Sequence, residues 1–125
     1  MIAPRPLVAV VDDDESVRDS LPDLLRVLGY DAVAFDAADA FLASNALERA
    51  DCLILDVAMP GMGGPELMRQ PPVRARGVPV IFITALQDEG VRREMQEAGA
   101  VECLFKPFSE DALLQALASA LGRNP

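Results

Sequence analysis

The chain has 125 residues, 51% of them hydrophobic and 25% charged, a balance that suits one ordinary globular domain and excludes a disordered or fibrous segment. Twenty acidic residues against eleven basic ones leave a net charge of −9, which disfavours contact with nucleic-acid backbones and anionic lipid surfaces. The absence of histidine excludes a His-ligated zinc site, a Ser-His-Asp triad and a histidine general base.

The opening Met1-Ile-Ala-Pro-Arg-Pro6 lacks the apolar run of a signal peptide, and no stretch approaches the roughly 18 apolar residues of a membrane span, so a cytoplasmic location is expected. The first apolar run, Leu7-Val-Ala-Val-Val11, predicts a strand. Val17, Leu21, Leu24, Leu25 and Leu28 then follow at helical spacing, with Asp14 as N-cap and Gly29 placed to end the helix in the left-handed conformation. Pro22 inside this helix predicts a bend.

A second strand over 32–35 leads to a helix capped by Asp36 that carries Phe41 and Leu42. After a third strand over 52–55, Pro65 suits the first position of a helix holding Leu67 and Met68, which the Pro71-Pro72 pair would stop. The run 80–83 predicts a fourth strand, and a helix is expected over 88–98 with Gly99 as its terminator. The run 101–105 gives the fifth strand, followed by a helix with Ser109 as N-cap and Leu113, Leu114, Leu117 and Leu121 on its apolar face. Cys52 and Cys103 lie within strand runs without CxxC spacing and read as reduced, small core residues.

Five nearly continuous apolar strands alternating with five helices predict a three-layer α/β/α, doubly wound domain with a parallel sheet, a single unit over 1–125. In such a sheet ligands bind at the carboxyl ends of the strands. Strand one ends in Asp12-Asp13-Asp14, strand three in Asp56, strand four in Thr84 and strand five in Lys106, which is the only lysine of the chain. In the order 2-1-3-4-5 these groups meet at the switch between strands one and three. Carboxylates, a hydroxyl and an ammonium suit a hard cation, Mg²⁺, beside a phosphoryl group, and an aspartate can itself accept that group.

With these blocks in view, the chain resembles the receiver domain of two-component response regulators, of flavodoxin-like fold. The resemblance rests on Val10-Val-Asp-Asp-Asp14, Leu53-Ile-Leu-Asp-Val-Ala-Met-Pro-Gly-Met62, Phe82-Ile-Thr-Ala85, Ala98-Gly-Ala100 and Phe105-Lys-Pro-Phe108, and spans essentially the whole chain. Val11-Asp-Asp-Asp-Glu-Ser-Val-Arg18, Met59-Pro-Gly-Met62 and Lys106-Pro107-Phe108 are most similar to the nitrogen-fixation regulator subgroup, whose members carry a C-terminal helix-turn-helix domain. The resemblance implies that Asp56 takes a phosphoryl group from a sensor histidine kinase, the receiver catalysing its own phosphorylation and dephosphorylation without being an enzyme toward other substrates. It implies Mg²⁺ ligands at Asp13 and Asp56, at Asp12 through water, and at the Ala58 backbone carbonyl. Thr84 and Lys106 would contact the phosphoryl oxygens, with small Ala85 leaving room. Output, and a homodimer, would use the face of the fourth helix, fifth strand and fifth helix.

Two alternatives carry different expectations. A Mg²⁺-dependent phosphatase of the haloacid dehalogenase class would place a second Asp at position 58, where this chain has Ala58. A binding-only pseudo-receiver would lose an acidic residue or the lysine, and all are present. One departure from the receiver pattern stands out: Cys103 occupies the switch position usually held by Tyr or Phe. Phe105 is not an obvious substitute, because it shares the face but lies closer to the site.

Overall fold

The computed structural model describes residues 5–122, so the readings of the opening four residues and of the last three lie outside the described residues. Five strands, β1 (Leu7–Val11), β2 (Asp31–Phe35), β3 (Cys52–Asp56), β4 (Val80–Thr84) and β5 (Glu102–Phe105), form one all-parallel sheet in the order β2-β1-β3-β4-β5. Every residue of β3 and β4 is buried, as the unbroken apolar runs require for strands covered on both faces.

Seven helical segments, α1 (Glu15–Val27), α2 (Ala38–Ala43), α3 (Ala46–Arg49), α4 (Gly64–Arg69), α5 (Pro71–Arg76), α6 (Glu89–Glu97) and α7 (Glu110–Leu121), replace the five expected. One apolar cluster packs Leu21 and Leu25 of α1 and Leu113 and Leu117 of α7 on Val8, Val10, Ile54, Ile81 and Ile83. The other packs Phe41, Leu67, Val73 and Met95 on Ala9, Val11, Leu53, Leu55 and Phe82. The sheet is thus the middle of three layers, and alternate residues of each strand feed the two cores.

Three local expectations are corrected. The Pro71-Pro72 pair ends α4 but also opens α5, since proline suits the first helical turn as well as it stops a preceding one. Ala37, not Asp36, is the N-cap of α2, and no side chain caps it. The four-residue α3 went unread because one turn is too short to show a period. Pro22 is buried inside α1, which continues past it to Val27.

Two helix ends aim the chain back into the sheet. Gly29, at φ +104°, follows α1, and Tyr30 N donates to Leu25 O at 2.9 Å. Gly99, at φ +112°, follows α6, and Ala100 N donates to Met95 O at 3.1 Å. Both are the six-to-one closure that a left-handed residue permits, and the next residue, Tyr30 or Ala100, is buried.

Candidate functional site

The polar residues expected at strand ends do converge. Asp12 directly follows β1, and its amide donates to Phe35 O, extending the ladder by one bond. Asp56 is the last residue of β3, paired with Ile83. Thr84 closes β4, and Lys106 N donates to Thr84 O at 2.8 Å, which fixes where β5 releases its lysine. Asp12 is fully buried, with Asp56 at 6% and Thr84 at 1% exposure, the three polar residues buried among those described. Asp13 is exposed.

Burying carboxylates is costly unless they are paired, and the pairing here comes from one cation. Lys106 Nζ lies 2.8 Å from Asp12 Oδ2 and 3.7 Å from Asp56 Oδ1. Burial works against the Lys106 ammonium, but the Asp12 and Asp56 carboxylates outweigh it and raise its pKa. The opposite holds at Asp56. Burial, then the charge of Asp12, push its carboxyl up to about 7, with Lys106 opposing them. The peptide bond between Lys106 and Pro107 is cis.

Asp12 Oδ1 accepts from Asp14 N at 2.9 Å. Its Oδ2 is buried, and the group against it is the Lys106 ammonium, 2.8 Å away. Ligand oxygens of Asp12, Asp13 and Asp56 all lie within 4.8 Å of one another. An all-oxygen, all-carboxylate set fits a hard divalent cation such as Mg²⁺ and not a metal that needs nitrogen or sulfur.

Asp14 takes no part in that cluster. It caps α1, accepting from Ser16 N at 2.9 Å and Ser16 Oγ at 2.7 Å, and the Ser16 bonds lower its pKa. Ala58 and Ala85 are exposed in the loops beyond β3 and β4. Thr84 Oγ1 accepts from Leu86 N at 3.1 Å. Beside the acidic cluster, Lys106, Ala85, Val17, Leu21, Leu24 and Phe108 line a groove of about 520 Å³.

The arrangement of β strands, acidic cluster and lysine matches one family along most of the chain: the response regulator receiver domain, over residues 8–118. The chain belongs to that family. It is 37% identical over 120 residues to nodulation protein W of Bradyrhizobium diazoefficiens, covering 96% of this chain and 53% of that protein. Transcriptional regulatory protein FixJ of Azorhizobium caulinodans is 36% identical over 117 residues, covering 94% of this chain and 56% of that protein. Among solved structures, response regulator StyR superposes with a TM-score of 0.83 at 45% identity, over 97% of this chain and 61% of that one. The receiver thus spans little more than half the length of the curated relatives it matches.

Membership in this family makes the chain a receiver module of two-component response regulators, consistent with a phosphoacceptor role. Receiver domains bind Mg²⁺ at an acidic pocket, and Asp12, Asp13 and Asp56 form an acidic cluster here. Two features escaped the sequence reading. Gly64 lets α4 pass against the Asp56 backbone, a close approach at which the Gly63-Gly64 pair hinted. Arg18 Nη1 donates to Asp12 O at 3.0 Å, a side-chain bond from α1 back to the end of β1 with no sequence signature. Among the described residues no helix is long and apolar enough to cross a membrane.

Proposed function

We propose that Asp56 accepts the phosphoryl group from a phosphohistidine of a sensor histidine kinase. What carries this reading is the position of Lys106 Nζ, 2.8 Å from Asp12 Oδ2 and 3.7 Å from Asp56 Oδ1, at the mouth of a buried acidic cluster. An Asp56 Oδ attacks phosphorus, the new O–P bond forms as the P–N bond breaks, and the imidazole nitrogen leaves with the electron pair. Lys106 and Thr84 contact the phosphoryl oxygens, the ammonium offsetting charge that builds during transfer. Asp12, Asp13, Asp56 and the Ala58 carbonyl hold Mg²⁺, which when bound neutralises the carboxylates and the incoming phosphoryl charge.

Ala85, with no more than a methyl group, leaves the space in front of Asp56 clear. Dephosphorylation uses the same residues: water attacks phosphorus, the Asp56 O–P bond breaks with its electron pair returning to the carboxylate, and inorganic phosphate leaves carrying the water's oxygen and protons. The output face is the one made by α6, β5 and α7, which also serves a homodimer. The receiver acts in the cytoplasm, bound to neither membrane nor nucleic acid itself, as one domain over 1–125. The test is incubation with acetyl phosphate and Mg²⁺, read by intact mass. A gain of one phosphoryl group is expected, absent in Asp56→Asn; a gain that persists in the variant would overturn the assignment.

A further inference from the structure

The switch position is filled by Cys103, which is fully buried between the sheet and α6 and carries no ring. A ring does stand two residues on. Phe105 pairs in register with Thr84, so the two side chains lie on the same face of neighbouring strands. Over that ring sits Arg92 of α6, its guanidinium carbon 4.1 Å from the ring centroid. Arg92 Nε also donates to Cys103 O at 3.1 Å, and Nη1 pairs with Glu89 at 3.2 Å.

These contacts lie on an open sheet edge. β5 is the last strand in the order, so the N–H and C=O of Cys103 face away from β4 and find no strand partner. Arg92 covers the carbonyl, and Glu102 Oε1 accepts from Cys103 N at 3.0 Å. Glu102 Oε1 in turn accepts from Gln96 Nε2 at 3.0 Å, a second tie from α6.

We propose that Arg92 is the latch through which α6 reads the state of Asp56, with the ring of Phe105 in the role that position 103 cannot fill. The inference rests on the phosphoacceptor reading of Asp56. Thr84 turning toward a phosphoryl group on Asp56 gives up the bond from Leu86 N and frees the segment that leads to Asp88, the N-cap of α6. The same turn vacates the space beside Phe105 on their shared face. When the ring follows, the guanidinium loses its seat, the Cys103 carbonyl is released, and the edge of β5 opens beside a displaced α6. The latch therefore biases the chain toward the closed state until phosphorylation offsets it.

The test is amide NMR of the receiver with and without beryllofluoride, a phosphoryl mimic, at saturating Mg²⁺. In the unmodified chain the amides of Val57 and Ala85 at the site and of Arg92 and Met95 on α6 should all shift. In Arg92→Met, which keeps an apolar stem, and in Phe105→Leu, the site amides should shift as before while the α6 shifts are largely lost. Full α6 shifts in a folded variant of either kind overturn the latch. So does an unmodified chain whose site amides shift while those of α6 stay fixed. If the site amides of the unmodified chain do not shift at all, the phosphoacceptor reading falls first and takes the latch with it.

Discussion

Gly64 and Asp56 touch through their backbones: a Cβ placed on Gly64 would stand 2.5 Å from the Asp56 carbonyl oxygen and 2.9 Å from the Phe82 ring. No side chain fits there without moving β3 or α4. Gly64→Ala should therefore destabilise the fold by about 1–3 kcal/mol in denaturant unfolding, the usual cost of forcing an extra carbon into a packed core. Phosphoryl uptake should fall as well, because the strand end that displaces is the one holding the acceptor carboxylate. An alanine variant with unchanged stability would show that the contact is looser than this.

Asp56 also predicts a pH dependence of stability in the metal-free chain. Its carboxyl titrates at about 7 when folded against an ordinary 3.8, so between these values the folded chain holds a proton that the unfolded chain has released. The stability this group supports is complete below the unfolded value and is lost as pH rises through 7. In chelator, Asp56→Asn should gain in Tm over the unmodified chain as pH rises from 4 to 8. A gain that shrinks over that range would reverse the sign.

Much of this site was legible because its residues end strands, and the strands are continuous apolar runs. Asp12, Asp56, Thr84 and Lys106 could be placed from their neighbours alone, since the order 2-1-3-4-5 brings four strand ends together. The division of the expected third helix into α4 and α5 was not legible, because a Pro pair carries stop and start signals at once. Nor was the stacking of Arg92 on Phe105. That contact joins residues thirteen apart on different elements, and local patterning carries no information about it.

Mg²⁺ should raise the melting temperature. A cation that binds only the folded cluster stabilises it by about 2.7 kcal/mol at a free concentration 100 times its Kd. Asp13→Ala should remove most of this response without unfolding the chain, because Asp13 is exposed while its ligand oxygens reach the buried pair. A melting curve of Asp13→Ala that responds to Mg²⁺ like the unmodified chain would place the ion elsewhere.

The lifetime of the phosphorylated form should be long. With Asp56 as the acceptor, the positions two residues after Asp56 and two after Thr84 are Ala58 and Leu86, and neither side chain can orient an attacking water by a hydrogen bond. Leu86 is 58% exposed at the loop beyond Thr84, so polar substitution there disturbs little packing. Ala58→Asn should shorten the phosphoryl half-life several-fold at saturating Mg²⁺, as followed by intact mass after removal of the phosphodonor. An equal or longer half-life would remove water positioning from the account.

The ammonium between Asp12 and Asp56 belongs to the sole lysine of the chain. Isotopic enrichment of lysine side chains would therefore yield a single ammonium resonance, free of overlap and already located at the reacting centre. With only 16% of that side chain in solvent, its protons are sheltered from rapid exchange. The molecule thus carries a built-in spectroscopic reporter, able to follow metal loading, acyl phosphate formation and hydrolysis in real time without any attached label.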